Sequence, residues 1–318
     1  MLQPSKNHIA EHVAQCLQLA ILLEVSAYPK PGNIHRTADY QGTRYEHFLA
    51  SAVAVAPCFR WAAGKGIDIC EGKLAPFEAQ VGSLVRQAVE NVGFWQNGGN
   101  TLLGSLLLLV PMAVAAGKSL AEKAFSIKEL RRNIALVVES TTALDAVNVY
   151  EAINMAKPGG LGKTAELDVN DPSSKRKILD RNMTLYDVFK LASSYDSIAN
   201  EWINNYALTF DLGYPYFAMQ LQQTKDINTS TVHTFLKILS EVPDTLIARK
   251  AGMDMAKEVS VQAKQVLELG GLATAQGKES LLEFDRRLHT ADHKLNPGTT
   301  ADIITAVLSV ALLNGFRP

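Results

Sequence analysis

The sequence is poor in cysteine, and this scarcity limits the kinds of site that it can build. Only Cys16, Cys58 and Cys70 occur among 318 residues, with no CxxC pair and no Cys/His spacing typical of a metal site. An odd and small number of cysteines argues against a disulfide framework and against a structural zinc site, and it fits a reducing compartment. We therefore expect a cytoplasmic protein.

An excess of basic residues is also missing. The chain has 31 Lys and Arg against 32 Asp and Glu, a formal net charge of −1. Proteins that coat nucleic acid or an anionic membrane usually carry a basic excess, so neither partner is expected. The N-terminus, MLQPSKNHIAEHVAQ, has no basic start followed by an apolar core, so no signal peptide is expected. The most apolar run, 101–117, contains Pro111 and is better interpreted as a buried helix than as a membrane span.

Alternating strand patterns are absent as well, and helical periodicity takes their place. Apolar residues recur mostly three and four positions apart, and 47% of the chain is hydrophobic, enough to bury a large core. These features predict an all-α fold. Helices are predicted over 7–26, 46–64, 74–92, 101–117, 127–140, 142–155, 184–206, 231–239, 244–268, 278–288 and 300–314.

Four loops separate these helices, and each carries polar groups able to bind a ligand. They are 28–45, 97–101, 157–177 and 289–302, all rich in residues that form turns and cap helices. One active site drawing on all four would imply a single domain, 1–318. We expect its central pocket to be lined by helix-borne carboxylates and by Gly/Pro loops.

Acidic residues lie on apolar helix faces. Glu24 ends the apolar face of the first predicted helix, Asp145 lies on that of 142–155, and Asp196 lies in the middle of 184–206. A buried ionised carboxylate is costly unless it is paired, hydrogen-bonded or bound to a metal. Taken singly, each acid is as well explained by a structural ion pair, or by partial exposure of Glu24. Together they favour shared cations, and oxygen ligands without Cys or clustered His favour Mg²⁺.

Two loops are suited to hold phosphate. NGGNT, 97–101, runs into an apolar helix with Asn100 as the expected N-cap, and a helix N-terminus approached by glycines is a ready anion site. By itself this motif is equally an ordinary capped turn. In PKPG, 29–32, two prolines hold Lys30 in an extended conformation near Glu24, where it could contact phosphate with help from Arg36. The alternative is a solvated loop.

The last loop, NPGTTAD, repeats this logic. Thr299 is the expected N-cap of the final helix, and Asp302 follows three residues later. On residues alone, a capping-box role for Asp302 is favoured over a substrate or metal contact.

Several catalytic motifs are excluded. KPGGLGKT, 157–164, has its first glycine misplaced for a Walker A loop, so we interpret it as a mobile basic loop that could close over a ligand. Asp292–His293 lacks the remote histidines of an HD-type hydrolase, and no GxSxG or Cys/His nucleophile pattern occurs.

Taken in order, four segments resemble the signatures of the triphosphoribosyl-dephospho-CoA synthases: EVSAYPKPGN (24–33), GGNT followed by Gly104, LYDVFKLASSYDSIANEW (185–202) and NPGTTADI (296–303). The resemblance runs nearly end to end. It implies an all-helical single domain that uses Mg²⁺ and ATP. The 2′-hydroxyl of 3′-dephospho-CoA would attack C1′ of the ATP ribose, and adenine would leave.

The resemblance also selects site residues, and it moves Asp302 from a cap to a functional residue. Glu24, Lys30 and Asp196 are the expected catalytic residues. Substrate is expected to contact Lys30, Asn33, Arg36, Asn100, Thr101, Asn296 and Thr299. Magnesium is expected at Asp145, Asp168, Asp196 and Asp302.

The chain departs from the family pattern at three places, which suggests a divergent branch. His35 stands where an acid is common, Gly160–Leu161 lie where a charged stretch is usual, and Thr299–Thr300 replace Gly and Ser. Two alternatives therefore stay open: a related nucleotide-dependent transferase or hydrolase with another acceptor in cofactor biosynthesis, and a non-catalytic nucleotide-binding helical protein. A homodimer is possible, but no residue points to it.

Overall fold

The computed structural model describes residues 5–122, 125–162, 164 and 166–318. The prediction of an all-α fold is confirmed: this part of the chain has no β-strand, only two isolated bridges, His35 with Ala38 and Tyr40 with Thr43. The helices are α1 Lys6–Ser26, α2 Tyr45–Cys70, α3 Val81–Trp95, α4 Leu103–Ala121, α5 Ile127–Glu139, α6 Ala143–Ala156, α7 Pro172–Asp180, α8 Leu185–Ala192, α9 Ser197–Ile203, α10 Tyr214–Thr224, α11 Ile227–Glu241, α12 Thr245–Ala251, α13 Met253–Glu268, α14 Ala275–Leu288 and α15 Gly298–Leu313.

Helix α4 lies at the centre and packs against α1, α2, α3, α5 and α15. Both α1 and α4 are long and apolar enough to cross a membrane, but 83% of the most apolar window of α4 is buried inside the fold, which is typical of a core helix. Its contact with α2 needs glycine on both sides. A Cβ on Gly66 would lie 1.9 Å from the carbonyl oxygen of Val114, and one on Gly117 would lie 2.1 Å from that of Ala63.

A proline inside α4 leaves one backbone carbonyl without its helical hydrogen bond, and a side chain from a distant helix donates to it instead. Pro111 has no N–H, so the carbonyl of Leu107, four residues earlier, loses its helical partner. The indole Nε1 of Trp202 in α9 donates to that carbonyl at 2.9 Å. The Tyr206 hydroxyl donates to the next carbonyl, that of Leu108, at 3.0 Å. Both aromatic side chains are fully buried. They supply hydrogen-bond donors to core carbonyl groups that water does not reach.

Three predicted helix boundaries are wrong, for local reasons. The single helix predicted over 184–206 is two, because Asp196 begins a new helix as the N-cap of α9. The one predicted over 244–268 breaks at Gly252, whose φ of +95° suits glycine. The one predicted over 74–92 begins only at Val81, after a short 3₁₀ turn at Pro76–Ala79. Helices α7 and α10 were not predicted.

Candidate active site

A cavity of about 300 Å³ lies where the four predicted loops meet. Helices α1, α4, α8, α9, α12 and α15 contribute to its wall, together with Pro158, Leu161, Gly162, Thr164 and residues 166–170 of the loop. Nine residues predicted for the site line it: Glu24, Asn33, Asn100, Thr101, Asp168, Asp196, Asn296, Thr299 and Asp302.

The segment 24–33 contributes to one wall of the cavity, where buried polar side chains are linked by hydrogen bonds. The Lys30 ammonium is fully buried, pairs with Glu24 and donates to Asn33 Oδ1 at 3.1 Å. Asn33 Nδ2 in turn donates to Asn296 Oδ1 at 2.9 Å, which joins the first loop to the last. Burial raises the pKa of Glu24 and lowers that of Lys30, and the ion pair opposes both shifts.

This arrangement corrects the role predicted for Lys30. Lys30 does not line the cavity, and its buried ammonium donates to Glu24 and Asn33, which do. An ammonium already paired with a carboxylate in the protein interior is not free to meet phosphate. Lys30 is therefore a positioning residue, which holds the Glu24 and Asn33 side chains at the cavity wall.

The glycine loop and the last motif meet at Asp302. Its carboxylate accepts a hydrogen bond from Ser105 Oγ at 2.5 Å and forms no ion pair with any residue that the structure describes. Burial, with help from the neighbouring carboxylates of Glu24 and Asp244, raises the pKa of Asp302 to about 7. A Cβ at Gly104 would lie 2.0 Å from Asp302 Oδ2, so the glycine of that motif makes room for this acid.

Asp244 is a buried acid that the sequence analysis missed. Its Oδ1 caps α12 by accepting from the backbone N–H groups of Leu246 and Ile247. Its Oδ2 accepts from the N–H and the hydroxyl of Thr300, at 2.7 and 2.8 Å. Asp244 thus fixes the start of α15, on which Asp302 sits. The only signal in the sequence was an ordinary Asp-Thr at a helix start.

The predicted N-caps at the two loops need correction. Helix α15 begins at Gly298 without a side-chain cap, so Thr299 is inside it, and the Thr299 hydroxyl accepts instead from Thr245 at 3.2 Å. Helix α4 begins at Leu103, one residue after a poorly helical Leu102. Asn100 still makes a cap-like contact, because its Oδ1 accepts from the Leu103 N–H at 3.1 Å.

Asp196 lines the cavity, but not from the middle of a helix. Its Oδ1 caps α9 by accepting from the N–H groups of Ile198 and Ala199 at 2.9 and 3.0 Å. Its Oδ2 accepts from Arg249 Nη1 at 2.5 Å. This is the structural ion pair left open by the sequence analysis. Arg249, also missed, is the single basic side chain among the described lining residues.

Asp145 does not reach the cavity, and its prediction as a magnesium ligand is corrected. It closes a capping box at the start of α6, where Oδ2 accepts from the N–H and hydroxyl of Thr142, both at 2.8 Å. Its Oδ1 accepts from the Gly82 N–H at the start of α3, at 2.8 Å. With three donors from two helix starts, the carboxylate is buried without any cation.

Arg36 is also away from the cavity. It is exposed, its guanidinium lies over the Tyr28 ring at 5.7 Å, and it donates weakly to Asn228.

The loop that carries Asp168 does reach the cavity. The exposed Asp168 carboxylate accepts from the N–H groups of Thr164 and Asn170, which lower its pKa. Lys163 and Ala165 of the predicted mobile loop, and residues 1–4 of the N-terminus, lie outside the described residues.

Comparisons with known proteins identify the family of this chain. The family model for ATP:dephospho-CoA triphosphoribosyl transferase matches residues 10–317. A 2-(5″-triphosphoribosyl)-3′-dephosphocoenzyme-A synthase of Klebsiella pneumoniae is 25% identical over 93% of this chain and 88% of its own. A Malonomonas rubra protein named as a probable enzyme of the same kind is 22% identical over 98% of this chain and 90% of its own.

A crystal structure shares the fold. The protein, from Archaeoglobus fulgidus, is provisionally named a triphosphoribosyl-dephospho-CoA synthase. It superposes with a TM-score of 0.60 at 21% identity and covers 85% of this chain and all of its own. Because the family model spans nearly the whole chain, the protein is a transferase that belongs to the ATP:dephospho-CoA triphosphoribosyl transferase family.

Proposed function

We propose that this enzyme transfers the triphosphoribosyl group of ATP to the 2′-hydroxyl of 3′-dephospho-CoA and releases adenine. The observation that carries the proposal is Asp302, a buried carboxyl group at the wall of the cavity whose pKa is raised to about 7. A group that titrates near neutral pH is suited to exchange a proton with substrate.

The proposed reaction exchanges one bond for another at C1′ of the ATP ribose. The bond between C1′ and N9 of adenine breaks, and a bond forms between C1′ and the 2′-oxygen of the acceptor, through a transition state with oxocarbenium character. The Asp302 carboxylate takes the proton of the attacking hydroxyl. The departing adenine needs one proton, so the net proton change of the transfer is zero.

Glu24 is placed beside Asp302, and the two carboxyl groups have different environments. Glu24 is held by the ammonium of Lys30, whereas Asp302 accepts hydrogen bonds from Ser105 and has no basic partner among the described residues. Neighbouring titratable groups whose surroundings separate their pKa values are typical of acid–base pairs. We assign to Glu24 the orientation of the acceptor hydroxyl and stabilisation of positive charge at C1′, with Asp302 as the base.

Other lining residues are suited to bind phosphate. Arg249 brings the positive charge, and Asn100 and Thr101 bring amide and hydroxyl groups at the start of α4. The positive end of the α4 dipole adds to this field. Because Arg249 is anchored by Asp196 at 2.5 Å, its guanidinium is held in place before a phosphate arrives.

Carboxylate oxygens near this phosphate-binding part of the cavity are suited to coordinate magnesium. Asp168 lines the cavity and has no basic side-chain partner among the described residues, and Asp196 lines it beside Arg249. Carboxylate oxygens near bound phosphates are the usual environment of Mg²⁺. We propose Asp168 and Asp196 as its ligands, and we assign Asp302, which the sequence predicted as a ligand, the role of base instead. When bound, Mg²⁺ would neutralise the triphosphate.

One departure from the family pattern favours a second candidate, the same transfer to a different acceptor. His35 and Thr300 do not line the cavity, so the departure in the last motif reaches the cavity only at Thr299. Leu161 and Gly162 do line it, where the family tends to carry charged residues. A less polar rim would suit an acceptor with fewer charges than dephospho-CoA.

Product analysis separates these candidates. The protein is incubated with Mg-ATP alone, with dephospho-CoA, and with a panel of other nucleosides and alcohols, and free adenine and adducts are measured by mass spectrometry. We expect adenine release that depends on dephospho-CoA. Release with another acceptor alone would support the second candidate. No release, together with no rise in melting temperature on adding Mg-ATP, would overturn both and leave a non-catalytic helical protein.

The role of Asp196 is tested by Asp196→Asn, with Asp187→Asn as the matched control. Both acids act at helix starts, but Asp187 caps α8 and does not line the cavity. We expect magnesium-dependent turnover to be lost in Asp196→Asn and kept in Asp187→Asn, with helical circular dichroism unchanged in both. Full activity of Asp196→Asn would refute its role.

A further inference from the structure

A second group of polar side chains lies outside the cavity, on the far side of the first loop. It consists of His35, Asp285 and His289, which we call the His–Asp–His cluster. One ligand atom from each residue lies within 4.8 Å of the others. His35 and Asp285 are buried and His289 is nearly so, and none of the three lines the cavity.

The distances within the cluster are close to those of a metal site. His35 Nε2 lies 3.1 Å from Asp285 Oδ2, and His289 Nδ1 lies 3.0 Å from Asp285 Oδ1. Zinc bonds of about 2.0–2.2 Å in a tetrahedron place neighbouring ligand atoms roughly 3.3–3.5 Å apart. All three ligand atoms lie within 4.8 Å of one another, so side-chain movements on the order of an ångström would let them surround one ion. Two imidazoles and one carboxylate suit a transition metal better than Mg²⁺.

His35 and Asp285 also have outer partners of the kind that orient metal ligands. The Thr37 hydroxyl lies 3.2 Å from His35 Nδ1 and can accept its proton once Nε2 binds metal. Asp285 Oδ1 accepts from the Gly32 N–H at 3.0 Å. The Nε2 of His289 is buried without a well-formed hydrogen bond in the part of the chain that the structure describes, although the nearby Asn33 carbonyl helps to raise the pKa of this ring.

We propose that the His–Asp–His cluster binds one divalent transition-metal ion such as Zn²⁺. This ion would link the first loop to α14. The three ligands come from two places, the loop at His35 and the end of α14 with the turn after it. Gly32, whose N–H meets Asp285, lies between Lys30 and Asn33. The ion would thus hold the segment that sets the Glu24 side of the cavity.

The competing arrangement is a cluster held by hydrogen bonds alone. There the Thr37 N–H, 3.3 Å from His35 Nδ1, donates to that nitrogen, and the proton on Nε2 goes to Asp285. A proton shared between Asp285 and His289 would complete it. Metal binding requires both contact nitrogens to be free of protons, so binding would release protons from the cluster. Direct metal measurement distinguishes the two arrangements.

The test uses the full chain stripped with a chelator and then titrated with Zn²⁺ in the presence of a chromophoric competitor and excess Mg²⁺. We expect one tightly bound equivalent of Zn²⁺ that Mg²⁺ does not displace. The double variant His35→Ala/His289→Ala should lose it. The control variant His8→Ala, which removes an exposed histidine of α1, should keep it.

Two further measurements keep the outcome decisive if the double variant does not fold. Co²⁺ added to the wild-type chain should give the strong visible bands of a tetrahedral site. Zn²⁺ should also raise the melting temperature of the wild type but not that of Asp285→Asn. Equal zinc binding by wild type and variants, or no tetrahedral Co²⁺ spectrum, would overturn the proposal. No nucleotide is present, so these results are independent of the proposed reaction.

Discussion

The starts of α6 and α15 each hold a buried aspartate, and the two differ in what surrounds the carboxylate. Asp145, at the start of α6, accepts three hydrogen bonds from Gly82 and Thr142 and lies away from the cavity. Asp302, in α15, accepts hydrogen bonds from Ser105 alone among the described residues and lies at the cavity wall. Burial alone therefore does not mark a functional acid. An acid that the fold leaves short of donors, beside open space, is the one available for chemistry.

The strongest test of this comparison is the pair Asp302→Asn and Asp145→Asn. Removing a general base typically costs on the order of 10²–10⁴ in rate. We expect adenine release to fall by about that factor in Asp302→Asn and to stay within a few fold of wild type in Asp145→Asn. Turnover is measured by mass spectrometry at saturating substrates, with folding checked by circular dichroism. An equal loss of turnover in both variants would contradict the proposed difference between Asp302 and Asp145.

The buried pair beside Asp302 gives the largest expected effect on stability. Lys30→Met leaves Glu24 buried without a cation, and breaking such a pair typically costs about 3–5 kcal/mol. The matched control is Lys6→Met, which removes an exposed pair with Asp68 and should change the free energy of unfolding by about 1 kcal/mol at most. Urea unfolding measures both. A small effect of Lys30→Met would mean that Glu24 is neutral in the folded chain.

The two capping acids should affect mainly stability, and only Asp244 should also affect activity. Asp145→Ala and Asp244→Ala each leave backbone N–H groups at two helix starts without their acceptor. We expect each to lower the free energy of unfolding by roughly 1–3 kcal/mol. Only Asp244→Ala should also reduce activity, because it releases Thr300 at the start of the helix that carries Asp302. Thermal unfolding and turnover assays would show this.

The smallest expected effect is on pH dependence. A base whose pKa is about 7 is mostly protonated below that value, so kcat/KM should fall about tenfold per pH unit as the pH decreases below 7. The same raised pKa means that protonated Asp302 favours the folded state, so its contribution to stability is lost as pH rises from about 4 through 7. A flat rate profile between pH 5 and 8 would argue against Asp302 as the base.

Much of the fold was predictable from the sequence, because helical periodicity reports directly which face is buried. Helices α1, α2, α4, α5, α6 and α15 lie close to their predicted ranges. The break at Asp196 was not predictable from periodicity, since the apolar face continues across it. Its cap and its ion pair with Arg249 depend on α12, about fifty residues away in the chain.

The site was predicted in part, and the errors have one cause. The motifs identified Glu24, Asn33, Asn100 and Asp302, which do line the cavity. The same reasoning wrongly predicted Asp145 as a magnesium ligand and Lys30 as a phosphate contact. A sequence pattern can indicate that a charged side chain is buried, but it does not show which group that side chain contacts.

The sequence by itself determined the helical class, the family resemblance and the loops that form the site, since these depend on residue type and spacing along the chain. The tertiary structure alone decided which acid has few donors, why Gly104 must be small, that Asp244 anchors α15, and that His35 meets Asp285 and His289. The physical reason is that hydrogen bonding, ion pairing and pKa depend on distances of a few ångströms between residues that can be more than two hundred positions apart.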